Sequence, residues 1–298
     1  MSDLNTLYSR LMEAMGVAGL EIPLTAVKFY KTDDEVPAQV LECRPYEQSI
    51  TSCQAARQAA LGEAICLTRD DMGCIAAAIS LGLVDQNEAR PLREPRVYTG
   101  IMREQWEGKD FRAPSPKEFT DGIVYACRDA GRDDYCLFGK DDSGRFRDVE
   151  TARRAVSEMI AIQPPIMRCV FFYSHDFARP QIVPDVVVLS VRPVELARIV
   201  QAYSYYTGKR LIANMGAVRV VCSDLIVRPY LTGKPNASTY CVGARLMAAY
   251  QADRLGIGMP YTVFRDIVEW MEMSKTGYPF HLYPGADPRQ GPLTTRRA

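Results

Sequence analysis

The sequence predicts an α/β fold, with α+β as the alternative: one compact domain of two similar subdomains, with helices packed on a mixed sheet. Two observations carry this. Apolar residues recur at helical spacing in at least two segments, and short β-branched or aromatic runs lie between the helical ones. A third supports it: 298 residues with 47% hydrophobic content can bury a sizeable core.

The first helix is read at Leu4, Leu7, Leu11 and Met15. Its polar start lacks the basic-then-apolar order of a secretion signal. A second helix is read at Leu196, Ile199, Val200 and Tyr203, with Pro193 suited to its first turn and Gly208 to its stop. The runs TAVKFY, AICLT, CVFFYS, DVVVLSV and AVRVVCS read as strands, mostly buried. Residues 87–150 are charged and interrupted by prolines, so they read as a polar insertion. It separates halves at about 1–86 and 151–284, and the proline-rich residues 285–298 read as a flexible tail.

Basic and acidic residues balance at 36 each, so no net field draws the chain to nucleic acid or anionic lipid, and a small-molecule partner is the expectation. No apolar stretch approaches the roughly 20 residues that cross a bilayer. The chain carries 9 cysteines, an odd number, and has no export signal. A disulfide framework is therefore not expected, and a reducing cytoplasm is.

Two segments share a cysteine pattern. In SCQAARQAALGEAICLTRDDMGCIAAA, Cys53 is followed by Cys74, which opens an alanine-rich helix. In VCSDLIVRPYLTGKPNASTYCVGARLMAA, Cys222 is followed at a similar interval by Cys241, again opening a helix. With Ser238 as N-cap, Cys241 falls in the first turn; Asp70 or Asp71 would cap the helix at Cys74. A thiol there meets unpaired backbone N–H groups, which lower its pKa. The bland reading is that small cysteines simply pack beside alanines.

Dinucleotide, P-loop, zincin and CxxC signatures are absent, and LTGKPNAST has too few glycines to cradle phosphate. The two histidines, His175 and His281, sit in proline-rich surroundings that suit structural or exposed side chains. Tyr203, Tyr205 and Tyr206 fit packing of a helix end better than a pocket wall.

The words TAVKFY, GCIAAAISLG, PDVVVLSV, RVVCSD and GKPNASTYCVGAR, in this order over about Leu4 to Gly277, resemble the domain of unknown function 169 family. The resemblance carries over onto Lys28, Cys74, Asp185, Cys222, Cys241, Gly243 and Arg245. Gly73-Cys74-Ile75-Ala76 departs from it by lacking the proline and glycine that usually follow the first cysteine. The resemblance implies a fold group and no reaction.

Three functions are expected in order. The first is a redox-linked cytoplasmic protein whose Cys53, Cys74, Cys222 and Cys241 ligate an iron–sulfur cluster or another thiolate-bound metal between the halves. The second is a metal-free enzyme or binding protein in which Lys28 and Arg245 hold an anionic small molecule. The third is a non-catalytic accessory protein.

Overall fold

The computed structural model describes residues 3–45, 50–84, 158, 160–163, 165–177, 182–216 and 219–274. The expected insertion and tail, and His281, lie outside them.

The chain opens with α1 (Leu4–Met15), where the Asp3 carboxylate accepts the Thr6 N–H at 2.6 Å, and Leu7, Leu11 and Met15 are buried. Strand β1 (Thr25–Tyr30) follows, then a 3₁₀ turn, α2 (Ala38–Leu41), α3 (Ser52–Ala60), β2 (Ile65–Leu67) and α4 (Ile75–Ser80). Strands β3 (Cys169–Ser174) and β4 (Val186–Val191) precede α5 (Pro193–Thr207). As expected, Pro193 stands in the first turn of α5 and Gly208, at φ 66°, stops it. A π-helix (Val220–Val227), α6 (Arg228–Thr232), β5 (Asn236–Thr239), α7 (Val242–Ala248), β6 (Leu255–Pro260) and α8 (Tyr261–Met273) complete the described chain.

The strands form one sheet in the order β2-β3-β1-β4-β6-β5 with helices on both faces. Its pairings are all antiparallel, where a mixed sheet was expected. Apart from them, an isolated parallel bridge joins Ile50 and Met72. Alternation along β1 sets the two layers: Val27 and Phe29 face one core, Ala26 and Tyr30 the other. The first core receives α3, α4, the π-helix and α7; the second receives α1, α5 and α8. Burying one leucine or phenylalanine in either is worth about 1.5–3 kcal/mol.

The run around Cys222, read as a strand, is instead the π-helix. All eight of its residues are buried, so its apolar pattern has no polar alternation to distinguish strand from helix. It lies flush on β6 because Gly256 and Gly258 present no side chain there. A Cβ on Gly258 would overlap the Leu225 carbonyl, and one on Gly256 would overlap the Leu225 side chain. Arg219 enters the π-helix in left-handed backbone, at φ 53°.

No helix of the described residues is long and apolar enough to cross a membrane.

Candidate functional site

Cys53 lies in the first turn of α3, whose start is fixed by a capping box: the Thr51 hydroxyl accepts the Gln54 N–H at 3.1 Å and the Gln54 side chain accepts the Thr51 N–H at 2.9 Å. The Thr25 hydroxyl donates to the Ala56 carbonyl at 2.8 Å and pins α3 onto β1. Three residues before Cys53, Ile50 meets Met72, two residues before Cys74. The Gly73 N–H donates to the Ile50 carbonyl at 2.7 Å and the Ile50 N–H to the Asp71 carbonyl at 3.0 Å. This bridge holds the entries to α3 and α4 side by side.

Cys74 is itself the N-cap of α4, and Cys241 the N-cap of α7. The expected caps have other work. Ser238 lies in β5 and donates to the buried Asp224 carboxylate at 3.0 Å. Asp71 accepts from Arg44 Nε and Nη2, both at 2.9 Å, and from the Thr68 hydroxyl at 2.6 Å, so it is engaged by Arg44 and does not cap α4. Cys222 is the third residue of the π-helix, its Sγ 3.5 Å from the Arg219 carbonyl.

Cys222 and Cys241 are buried in one core, and Cys53 and Cys74 pack against it partly buried. Helix α7 packs on α3, α4 packs on the π-helix, and α3 touches the π-helix. Burial is the main cause that pushes the Cys53 thiol well above its usual range, followed by Cys241, Cys222 and Cys74. Burial likewise pushes Cys222 up to about 12, with Cys74 the next cause. Thus these two thiols are held protonated, and desolvation outweighs any pull toward the thiolate. The fully buried Ser80 hydroxyl faces Cys222 and makes no hydrogen bond of good geometry among the described residues. On Gly243 a Cβ would stand 3.9 Å from Cys241 Sγ, so glycine leaves that sulfur uncovered on one side. Among the described residues, no three or more His, Cys, Asp or Glu side chains are gathered as a ready site for a metal ion.

Lys28 and Arg245 are not brought together. Lys28 is on the opposite face of the sheet from the four thiols, with its Nζ 2.9 Å from Asp185 Oδ1. The other Asp185 oxygen accepts the Phe29 N–H at 2.8 Å, so this pair ties β1 to the start of β4. Arg245 is exposed on α7. His175 packs its ring 4.0 Å from that of Tyr8, and Tyr206 stacks on Trp270 at 4.6 Å.

Two groups escaped the sequence reading. Cys66 and Cys169 lie close together on the far face of the sheet. Their mutual interaction and burial raise Cys66, while the same interaction lowers Cys169. On the near face, Arg57 Nη1, Ser190 Oγ and Tyr240 Oη are, like Ser80 Oγ, buried without a hydrogen bond of good geometry among the described residues. Tyr240 stacks on Tyr250 at 4.2 Å, lies close enough to the Ser190 hydroxyl for it to oppose the effect of burial, and is within electrostatic reach of Cys53 and Arg57. No sequence motif marks either group. Only strand pairing and helix packing assemble them.

Comparison with known proteins agrees with the order of words along the chain. An uncharacterized protein of Methanocaldococcus jannaschii, MJ0308, is 22% identical over 271 residues, covering 91% of this chain and 95% of the relative. No solved structure matches. The model of the domain of unknown function 169 family, described as uncharacterised ArCR, matches residues 15–270. The chain therefore belongs to the domain of unknown function 169 family.

Proposed function

We propose that Cys53, Cys74, Cys222 and Cys241 bind a soft metal through their thiolates, as a metal ion or an iron–sulfur centre, in a redox-linked protein of a reducing cytoplasm. One observation carries this reading: four thiols from four separate helical elements, two buried and two partly buried, lie on one core within electrostatic reach of one another. Thiolate sulfur suits zinc, copper(I) and iron–sulfur iron. Because Cys53 and Cys222 are held as neutral thiols, loading must displace their protons. Occupancy therefore rises with pH and falls on acidification. The test is elemental analysis with visible absorbance on the full chain, purified and reloaded without oxygen. Bound metal that is lost in Cys222→Ser is expected; a chain that takes up none of zinc, iron or iron with sulfide removes the reading.

A second reading has its own observation. Arg57 Nη1, Ser190 Oγ and Tyr240 Oη, buried near Cys53 without hydrogen bonds of good geometry among the described residues, suit a small oxyanion, held by these residues in place of Lys28 and Arg245. A carboxylate whose binding to metal-free protein disappears in Arg57→Met is its expected signature. Binding unchanged in that variant removes it.

A further inference from the structure

We infer that the chain is an internal duplication whose two halves meet at β1 and β4, and that the thiol centre lies on their pseudo-two-fold axis as a polynuclear iron–sulfur site. Each half supplies one pair of ligands. The inference deepens, and rests on, the thiolate reading above.

The sheet order supplies the first support. Strands β1, β2 and β3 lie in the order β2-β3-β1; β4, β5 and β6 lie, read from the other edge, in the order β5-β6-β4. The two triplets abut through the antiparallel pair β1 and β4, with Ala26 opposite Val187. A two-fold axis through that pair exchanges every strand with its counterpart. It places β3 in the first half, so the expected polar insertion falls inside that half, between α4 and β3, and not between the halves.

The same operation acts on the thiol-bearing layer. Between the first and second strands of each half lie α3 and the π-helix; between the second and third lie α4 and α7. Exchange therefore maps Cys53 onto Cys222, each near the start of its helix, and Cys74 onto Cys241, each the N-cap of its helix. The helix contacts obey it: α7 of the second half packs on α3 of the first, and α4 of the first packs on the π-helix of the second. The opposite layer does not share the symmetry, since α5 has only the short 3₁₀ turn and α2 in the corresponding place.

Ligand type and symmetry select the class of cofactor. Cys53 lies within electrostatic reach of Cys241, Cys222 and Cys74, and Cys222 within reach of Cys74 and Cys241. A polynuclear iron–sulfur centre takes four thiolates, and two equivalent pairs of cysteines match its symmetry. Ser80, buried close to Cys222 and without a hydrogen bond of good geometry among the described residues, is a donor within reach of a ligand sulfur. Loading from a thiolate-ligated cluster is ligand exchange. Four iron–sulfur bonds to the carrier thiolates break, four to cysteine Sγ form, and four thiol protons pass to the departing thiolates, with iron oxidation states unchanged.

The experiment presents the full chain, without oxygen, with a synthetic [4Fe–4S] cluster carrying small thiolate ligands and, in parallel, with zinc. Iron and acid-labile sulfide in equal number, about four of each per chain, are expected. Cys53→Ser and Cys222→Ser should lose cluster to the same extent within about twofold, and so should Cys74→Ser and Cys241→Ser. Ser80→Ala, which leaves every ligand in place, should retain the cluster at a lower reduction potential, because hydrogen bonds to ligand sulfurs raise it. One metal per chain without sulfide overturns the polynuclear site and leaves the thiolate reading standing. No uptake of either probe overturns both. Unequal effects within a pair overturn the symmetry, and an unshifted potential in Ser80→Ala removes Cys222 from the ligand set.

Discussion

The two faces of the sheet are built by different rules. On the far face, α1, α5 and α8 are regular amphipathic helices of 12, 15 and 13 residues. The first two are closed by recognisable caps, and all three are filled with large side chains such as Leu11 and Phe264. On the near face the helices are short, alanine-rich or of π type, and the strand beneath the π-helix carries two glycines. The first arrangement is what burial and helix propensity produce unaided. The second trades both for the close approach of thiol-bearing elements, the pattern expected of a layer shaped around a site.

Gly258→Ala should separate the layers most sharply. Its methyl would overlap the Leu225 carbonyl, so the π-helix must lift from β6, and a loss of about 5 kcal/mol in urea unfolding is expected together with loss of metal uptake. Phe264→Ala, at about 3–5 kcal/mol, should leave uptake by the folded fraction unchanged. Equal loss of uptake in both variants would erase the distinction.

Alkaline titration reaches both faces, since burial also raises Tyr8, Tyr30 and Tyr173 on the far one, and the difference made by Cys222→Ala isolates the near one. The folded Cys222 thiol is raised from 9.0 to about 12, so its contribution is fully present below pH 9.0 and is lost as pH rises through about 12. At the limit this is on the order of 4 kcal/mol. Urea unfolding of metal-free protein from pH 8 upward should show a decline, and Cys222→Ala should make it shallower. A decline of the same slope in the variant would assign the effect to other groups.

Arg44→Ala leaves Asp71 buried with only its Thr68 bonds and should cost about 3 kcal/mol, because an uncompensated charge remains. If the Ile50–Met72 bridge transmits the disturbance, metal uptake falls with stability. Thr51→Ala, which removes half of the capping box before Cys53, should cost only about 1 kcal/mol and weaken uptake slightly.

Legibility in the sequence followed the same division. Helices α1 and α5 were readable from their helical period, with Pro193 and Gly208 marking the ends of α5, and strands β1 to β4 from short runs of β-branched or aromatic residues between helices. The π-helix was not, since an unbroken apolar run carries no period. Strands β5 and β6 were missed because NAST reads as a loop and LGIGMP has two glycines that ordinarily weaken a strand. The four cysteines were legible as two similar units. Their meeting depends on strand order, which no local pattern encodes. Lys28 and Arg245 went the other way: alternation along β1 turns Lys28 to the far face, where Asp185 engages it.

Gly256 and Gly258 also constrain how chains of this family can diverge. A side chain at Gly258 and a π-helix seated on β6 exclude one another, because it would meet the Leu225 backbone; at Gly256 it would meet only the Leu225 side chain, so substitutions at Gly256 and Leu225 must be linked in descent. A relative with bulkier residues at both places must have moved the helix, and Cys222 with it. The glycine-any-glycine word in the sixth strand thus becomes a hereditary marker, separating relatives that retain the four-thiol arrangement from those that have abandoned it.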